Sequence, residues 1–324
     1  MPPHDTTLRV GVQLHPQHTD LNQLRTAWRE ADALGVDSIW TWDHFLPHHG
    51  DPAGRHYECW SLLSAMAVET SRATIGPLVS CTAFRNPHVL ADMARTVDQL
   101  SGGRLVLGLG AGWFEAEHLE YGIPFPGPAA RMDAFEAAIT AVKDRLGKLN
   151  PGPAGPLPLL IGGAGRRRTL ELVAREADWW NWYGWASEDP VADFRELNGV
   201  LDEWCERVGR DPGEVARTVM VNPDQLPLVE GFAEAGAVHV VLSLAAPYDL
   251  RQVEELLKVR EALGPVRAAF EDQPAASDAV HRKAEDRPRT GRTRATPTTQ
   301  RGAVAGVAGP RRSPGQGPGA GRAS

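Results

Sequence analysis

The chain is poor in cysteine, and it lacks long apolar runs and a leader-like start. Its three cysteines, Cys59, Cys81 and Cys205, lie far apart and without the spacing of metal ligands, so we expect reduced thiols and no metal. No run approaches the roughly 20 apolar residues of a membrane-spanning helix. Residues 1–7 have neither the basic region nor the apolar core of a secretory signal. We therefore expect a cytoplasmic protein without a membrane partner.

Charge divides the chain at about residue 270. Residues 271–324 hold ten Lys or Arg against five Asp or Glu, a net charge of +5, and because the whole chain carries −7, the preceding part carries −12. An acidic body argues against a nucleic-acid partner. The last part is rich in Gly, Pro, Arg, Ser and Thr, a composition that does not pack a core. We predict one domain over residues 1–270 and a disordered Gly/Pro/Arg-rich tail over 271–324.

Apolar strand-like runs alternate with helical periodicity along most of the chain. The predicted strands cover residues 8–14, 36–42, 73–81, 104–109, 157–161, 178–182, 215–221 and 238–244. The predicted helices cover residues 21–34, 59–70, 87–100, 131–149, 167–176, 190–208, 228–235 and 250–263. Eight strand–helix pairs predict an α/β fold, the (β/α)8 TIM barrel. A doubly wound sheet is the alternative, although it usually has fewer strands and a reversal of strand order.

Two glycine-rich turns follow predicted strands four and five. The first contains Gly110, Ala111 and Gly112, and the second runs from Gly162 to Gly165. Such turns let backbone N–H groups approach a phosphate or a flat ring where side chains would clash. One Gly-x-Gly-x-Gly match is weak evidence, and a Rossmann fingerprint would follow the first strand instead. The position of both turns at strand ends, where TIM barrels build active sites, favours a ligand-binding role.

A series of short motifs falls in a fixed order along residues 8–263. The motifs are residues 13–18 (QLHPQH), 40–45 (WTWDHF), 84–87 (FRNP), 101–104 (SGGR), 113–118 (WFEAEH), 121–126 (YGIPFP) and 161–163 (IGG). As an ordered string they resemble the luciferase-like monooxygenase superfamily, and within it the oxidoreductases that use coenzyme F420. The resemblance implies a bacterial luciferase-like barrel with shortened insertions. It also implies F420 as the cofactor, with FMN as the alternative, and a small-molecule substrate.

The resemblance also implies site residues. His44 is the catalytic proton donor or acceptor, a role that suits histidine because its unperturbed pKa lies near neutrality. For an isolated Asp-His pair, helix capping or a surface pair would be the favoured explanation. The non-prolyl cis peptide of the family falls at Leu78–Val79, with an ordinary buried strand as the alternative. The residues implied to bind cofactor are Asp43, Leu78, Val79, Ser80, Cys81, Gly110, Ala111, Gly112, Gly162, Gly163, Ala164 and Gly165.

Four residues are expected at the substrate pocket: His15, Trp113, Glu117 and Trp182. Trp182 belongs to a tryptophan cluster at residues 179–185. Packing at the barrel rim or an oligomer interface would explain this cluster as well as an apolar substrate wall would. Trp113 stands where some sugar-phosphate dehydrogenases of the family carry a catalytic glutamate, so their chemistry is not implied. The connection at residues 150–156 is shorter than the usual excursion of the family.

The resemblance therefore implies an F420-dependent oxidoreductase that transfers hydride between bound deazaflavin and a small organic substrate. Arg166, Arg167 and Arg168 would add positive charge for the phosphate or polyglutamate tail of the cofactor. An FMN-dependent monooxygenase that uses O2 is the alternative enzyme. A non-catalytic barrel that binds flavin or a partner subunit is an alternative of a different class, and a homodimer is a candidate assembly.

Overall fold

The computed structural model describes residues 5–267, which form a parallel barrel surrounded by helices. The strands are β1 (Asp5–Thr7), β2 (Arg9–Leu14), β3 (Ser38–Thr41), β4 (Thr74–Pro77), β5 (Ser80–Cys81), β6 (Leu107–Gly110), β7 (Leu159–Gly162), β8 (Trp179–Tyr183), β9 (Ala216–Val221), β10 (His239–Leu244) and β11 (Pro265–Arg267). The helices are α1 (Leu21–Leu34), α2 (Cys59–Glu69), α3 (Pro87–Ser101), α4 (Glu115–Glu120), α5 (Pro128–Leu146), α6 (Thr169–Glu176), α7 (Pro190–Val208), α8 (Val229–Glu234) and α9 (Arg251–Leu263).

The main sheet closes into a ring, and its strands lie around the ring in the order in which they occur in the chain. Its order is β4-β3-β2-β10-β9-β8-β7-β6-β5, and all of its neighbouring strands are parallel. Strands β4 and β5 are two halves of the third barrel strand, and a parallel bridge from Ile75 to Leu105 closes the ring beside β4. The predicted TIM barrel is therefore confirmed. Strand β1 pairs antiparallel with β11 in a separate two-stranded sheet.

Local capping explains why the predicted helices begin and end near the expected residues. Asp20 accepts a hydrogen bond from the backbone N–H of Gln23 at 2.9 Å and starts α1. Gly35 ends that helix with φ of 89°, a left-handed conformation that glycine adopts readily. Helix α5 starts at Pro128, three residues before the predicted start, since proline suits the first helical turn. The short helix α4 was not expected from the sequence pattern.

The strands alternate between two apolar layers, as the period of a β-strand requires. One layer fills the barrel interior with Trp40, Leu78, Val106, Leu160, Trp179, Ala216, Met220 and Val241. The other packs between strands and helices and is much larger. On β8, Trp179 belongs to the interior layer, whereas Trp180 and Trp182 pack outward against Phe194 of α7.

The boundary predicted at residue 270 between the domain and the tail stays a prediction. The tail predicted over residues 271–324 lies outside the described residues, as do residues 1–4 at the other end. The last described strand, β11, ends at Arg267, shortly before the predicted boundary at 270. In the described part of the chain, every helix is too short or too polar to cross a membrane.

Candidate functional site

A cavity of about 360 Å³ opens at the carboxyl ends of the barrel strands. Its inner wall is buried and includes Gln13, Leu78, Asn181 and Met220. The other lining residues are Trp42, Asp43, His44, His48, Val79, Cys81, Phe84, Gly110, Gly112, Trp113, Phe114, Glu117, Gly162, Gly163, Tyr183 and Trp185. This is the face on which TIM barrels carry their active sites.

His44 is held by a buried carboxylate. Its Nδ1 lies 2.9 Å from Oε2 of Glu117, whose side chain is completely buried. The other oxygen of Glu117 accepts hydrogen bonds from the backbone N–H groups of Phe45 and Leu46. Burial alone would raise the pKa of Glu117, but the bonds from His44 and the backbone lower it overall. Glu117 is therefore a carboxylate at neutral pH, and it fixes the His44 ring with Nδ1 as the donor.

Asp43 is the acceptor for the segment that contains the cis peptide. Its Oδ2 accepts from Ser80 Oγ at 2.6 Å and from the backbone N–H of Cys81 at 3.2 Å. Both oxygens also pair with the guanidinium of Arg85, with a distance of 2.8 Å to Oδ1. Burial alone would lower the pKa of Arg85, but Asp43 raises it overall. This bidentate pair joins the residue after β3 to the segment that follows β5.

The peptide Leu78–Val79 is cis, as the resemblance implies. The amide of Gln13 donates to the carbonyl oxygen of Leu78 at 2.8 Å and so holds the peptide from inside the barrel. A Cβ atom added at Gly110 would lie 2.7 Å from Val79 Cγ2, and one at Gly162 would lie 3.2 Å from Val79 Cγ1. The two glycines therefore make room for the Val79 side chain at the cavity.

Comparison with known proteins decides the family. Residues 6–225 match the family model described as luciferase-like monooxygenase. The chain belongs to this family. Membership makes this luciferase-like protein an enzyme of the oxidoreductase and monooxygenase class.

The chain is similar to known proteins both in sequence and in solved structure. An uncharacterized protein of Mycobacterium tuberculosis (strain ATCC 25618 / H37Rv) is 29% identical over 246 residues, which are 71% of this chain and 80% of that protein. An F420-dependent glucose-6-phosphate dehydrogenase of Microbacterium testaceum (strain StLB037) is 25% identical over 282 residues, covering 82% of this chain and 80% of the relative. The solved structure of an F420-dependent secondary alcohol dehydrogenase in complex with an F420-acetone adduct shares the fold. Its TM-score is 0.68 at 16% identity, with coverage of 82% of this chain and 100% of that chain.

A histidine cluster surrounds Trp42 beside the cavity of the luciferase-like protein. The Trp42 ring lies between His15 and His48, with centroid distances of 4.2 and 4.4 Å. Its Nε1 donates to Nε2 of His56 at 3.1 Å. Burial lowers the pKa of His15 to about 3 and those of His48 and His56 to about 4. These three rings are therefore neutral at pH 7. Among residues 5–267, no three His, Cys, Asp or Glu side chains converge as metal ligands would.

Replacement of His56 tests this neutral cluster. His56→Gln keeps an acceptor for Trp42 and removes the titrating ring. Because burial lowers the folded pKa of His56 from 6.5 to about 4, its contribution to stability is complete above pH 6.5 and is lost as the pH falls toward 4. Between pH 7 and 5 we expect the free energy of unfolding to fall about 2 kcal/mol less in the variant than in the wild type. Urea unfolding at both pH values measures this, and equal decreases would contradict a neutral buried His56.

The structure brings most of the expected site residues together, and six lie outside the cavity lining. Ser80 lies behind the wall, where its hydroxyl bonds to Asp43. Trp182 packs into the outer layer, because it is one residue out of phase with the inward-facing Asn181 and Tyr183. His15 lines a neighbouring cavity with Ser243. The remaining three are Ala111, Ala164 and Gly165.

The three arginines after the second turn lie near its exposed end. Arg166 pairs with Glu196 at 2.7 Å, and Arg168 pairs with Asp133 at 2.7 Å. Arg167 is exposed. None of the three lines the cavity described above. Cys81 lines it as a thiol, because burial raises its pKa to about 12.

Several residues at the site were missing from the sequence-based assignment. Gln13 and Arg85 occur in the motifs that carry the resemblance, so these motifs could have indicated both residues as members of the site. Tyr183 lines the cavity where Trp182 was expected, next to Trp185, the last member of the tryptophan cluster singled out from the sequence. The strand period would have assigned Tyr183 to the inner face, given the phase of β8.

Proposed function

We propose that this luciferase-like protein is an F420-dependent oxidoreductase that transfers hydride between bound deazaflavin and a small organic substrate. The arrangement of His44 carries the proposal. Its Nδ1 is held by the buried carboxylate of Glu117, while its Nε2 has no hydrogen-bond partner among the described residues and its ring lines the cavity. A histidine fixed in this way is suited to exchange one proton with a substrate. The relative named as an F420-dependent dehydrogenase supports the same cofactor.

The inner cavity fits a flat heteroaromatic ring. Leu78, Val79 and Met220 give it an apolar wall, and Gly110 and Gly162 place no side chain beside that wall. These residues would hold the ring, with the backbone of the first glycine turn next to it. Asp43 lines the same cavity and would also position the ring through the peptide segment that it fixes.

The chemistry divides between cofactor and protein. When bound, the deazaflavin supplies or accepts a hydride. His44 gives or takes the accompanying proton at Nε2, next to the cavity. Glu117 keeps Nδ1 protonated and stabilises the imidazolium form of the ring electrostatically, as a buried carboxylate does for a catalytic histidine. Trp113 and Phe114 line the cavity beside His44, with ring centroids 5.7 and 6.1 Å from the His44 ring.

Binding of the two candidate cofactors tests the proposal. We expect F420 to bind at least about tenfold more tightly than FMN, because its longer anionic tail adds contacts near Arg166 to Arg168. Fluorescence quenching titrations at low and high salt measure both affinities. Added salt is expected to weaken the binding of F420 more than the binding of FMN, because salt screens contacts between exposed charges and the Debye length is about 10 Å at 0.1 M salt. Equal or tighter FMN binding at both salt concentrations would favour the FMN-dependent monooxygenase instead.

A further inference from the structure

The outer half of the cavity is aromatic and open. Trp113, Tyr183 and Trp185 line it, and their exposed fractions are 59%, 50% and 39%. They come from two separate segments of the chain, the loop before α4 and the end of β8 with the loop that follows it. A planar apolar ligand would cover this surface and remove it from water, which is the main source of affinity for such groups.

The same cavity offers no cation to an anionic substrate. Of the residues that line it within the described part of the chain, none is Lys or Arg. Its two carboxylates are Asp43, paired with Arg85 behind the wall, and Glu117, paired with His44. His48 is uncharged at neutral pH because burial lowers its pKa to about 4. A phosphate ester that entered this cavity would lose the water around its charge and would lie near two carboxylates. Only His44 could then offer it a positive charge.

We infer that the substrate is an uncharged alcohol, or the matching carbonyl compound, whose aryl or other flat apolar group lies against Trp113, Tyr183 and Trp185. This inference rests on the proposed function. In the oxidation, the carbinol C–H bond breaks and its hydride passes to oxidised deazaflavin, while the hydroxyl proton passes to His44 Nε2. The alcohol loses two electrons and two protons and becomes the carbonyl compound, and His44 releases its proton to water. A sugar phosphate is excluded as the preferred substrate, in contrast to the substrate in the name of the Microbacterium relative.

Substrate comparison with purified protein and F420 tests the inference. The probes are 1-phenylethanol, 2-propanol and glucose 6-phosphate, and the readout is F420 reduction. We expect kcat/KM for 1-phenylethanol to exceed that for glucose 6-phosphate by about 100-fold or more, because the phosphate would be left unpaired. 2-Propanol has the same reacting group without the aryl ring, so its KM should be higher than that of 1-phenylethanol.

Variants of the aromatic wall separate binding from chemistry. Trp113→Ala should raise KM for 1-phenylethanol about tenfold, change kcat little, and leave KM for 2-propanol within about threefold. Trp113→Phe should keep most of the affinity for 1-phenylethanol. Leu100→Ala is the control, since Leu100 lies on α3, is 47% exposed and is outside the cavity lining. Its kcat and its KM for both alcohols should equal those of the wild type.

The outcomes distinguish the two proposals. Absence of F420 quenching in the titration would overturn both of them. Quenching by F420 combined with equal or faster oxidation of glucose 6-phosphate would overturn the substrate inference alone. The same holds if bound F420 is reduced by neither alcohol, or if Trp113→Ala leaves KM for 1-phenylethanol unchanged.

Discussion

The variant His44→Ala is expected to lower kcat by about 10²- to 10⁴-fold, the usual contribution of one general acid or base. The dissociation constant of F420 should change by less than about threefold, because ring binding is spread over many contacts and the proton transfer belongs to the transition state. Steady-state kinetics with an alcohol substrate and a fluorescence titration of the same preparation measure the two quantities.

His88→Ala is the matched control for this variant. His88 is exposed near the start of α3 and lies outside the cavity lining. It should leave both kcat and F420 affinity unchanged. Full turnover in His44→Ala would show that this histidine has a structural or binding role only. A loss of F420 binding equal to the loss of kcat would lead to the same conclusion.

The second large effect is expected for Glu117→Gln. The new side chain still offers an oxygen to the N–H groups of Phe45 and Leu46, but its amide faces Nδ1 of His44 as a donor. This favours the tautomer with the proton on Nε2, which cannot accept a proton from an alcohol. We expect kcat for alcohol oxidation to fall about 100-fold or more, with a small change in KM.

The split between kcat and KM separates this positioning role from a purely structural one. A disrupted site would lose F420 affinity and raise KM, whereas loss of the contact to His44 Nδ1 should lower kcat and leave F420 affinity within about threefold of the wild type. Glu115→Gln is the control, because Glu115 is an exposed carboxylate on the same helix α4. An unchanged kcat in Glu117→Gln, with intact folding by circular dichroism, would refute the positioning role.

Hydrophobic periodicity and the ordered motifs predicted the barrel and the position of His44 at the end of its second strand, and the resemblance implied the cis peptide at Leu78–Val79. These features depend on residues close together in the chain, such as Asp20 and Gly35 at the ends of α1, or on motifs that fall at strand ends. Periodicity also gave helices α1 and α7 their observed bounds. In each of these cases, residues close together in the chain were sufficient to predict the feature.

The contacts that organise the site could not be predicted in the same way. Glu117 meets His44 across 73 residues of sequence, and Arg85 meets Asp43 across 42. Both pairings depend on where α4 and the segment after β5 lie in space, and the periodicity of the chain does not report this. Glu117 was expected to face substrate, and it lies under His44 as well as along the cavity wall.

The assignment of Trp182 to the pocket was wrong by one position along β8, and one position decides which side of the strand a residue faces. The tryptophan cluster was recognised as a candidate pocket wall, but alternate residues of β8 face opposite layers. Asn181 and Tyr183 face the cavity, and Trp182 packs against Phe194. Trp185, two residues beyond the strand, returns to the cavity from the following loop.

Anaerobic reoxidation of reduced F420 tests the central claim most directly. Reduced F420 is bound to the protein without O2, and a carbonyl compound such as acetophenone is then added while the absorbance of the oxidised deazaflavin is followed. The proposed hydride and proton transfer predicts complete reoxidation, with one alcohol formed for each deazaflavin oxidised, and a much slower reaction in His44→Ala. Reoxidation only after O2 is admitted, with no alcohol formed, would contradict the account.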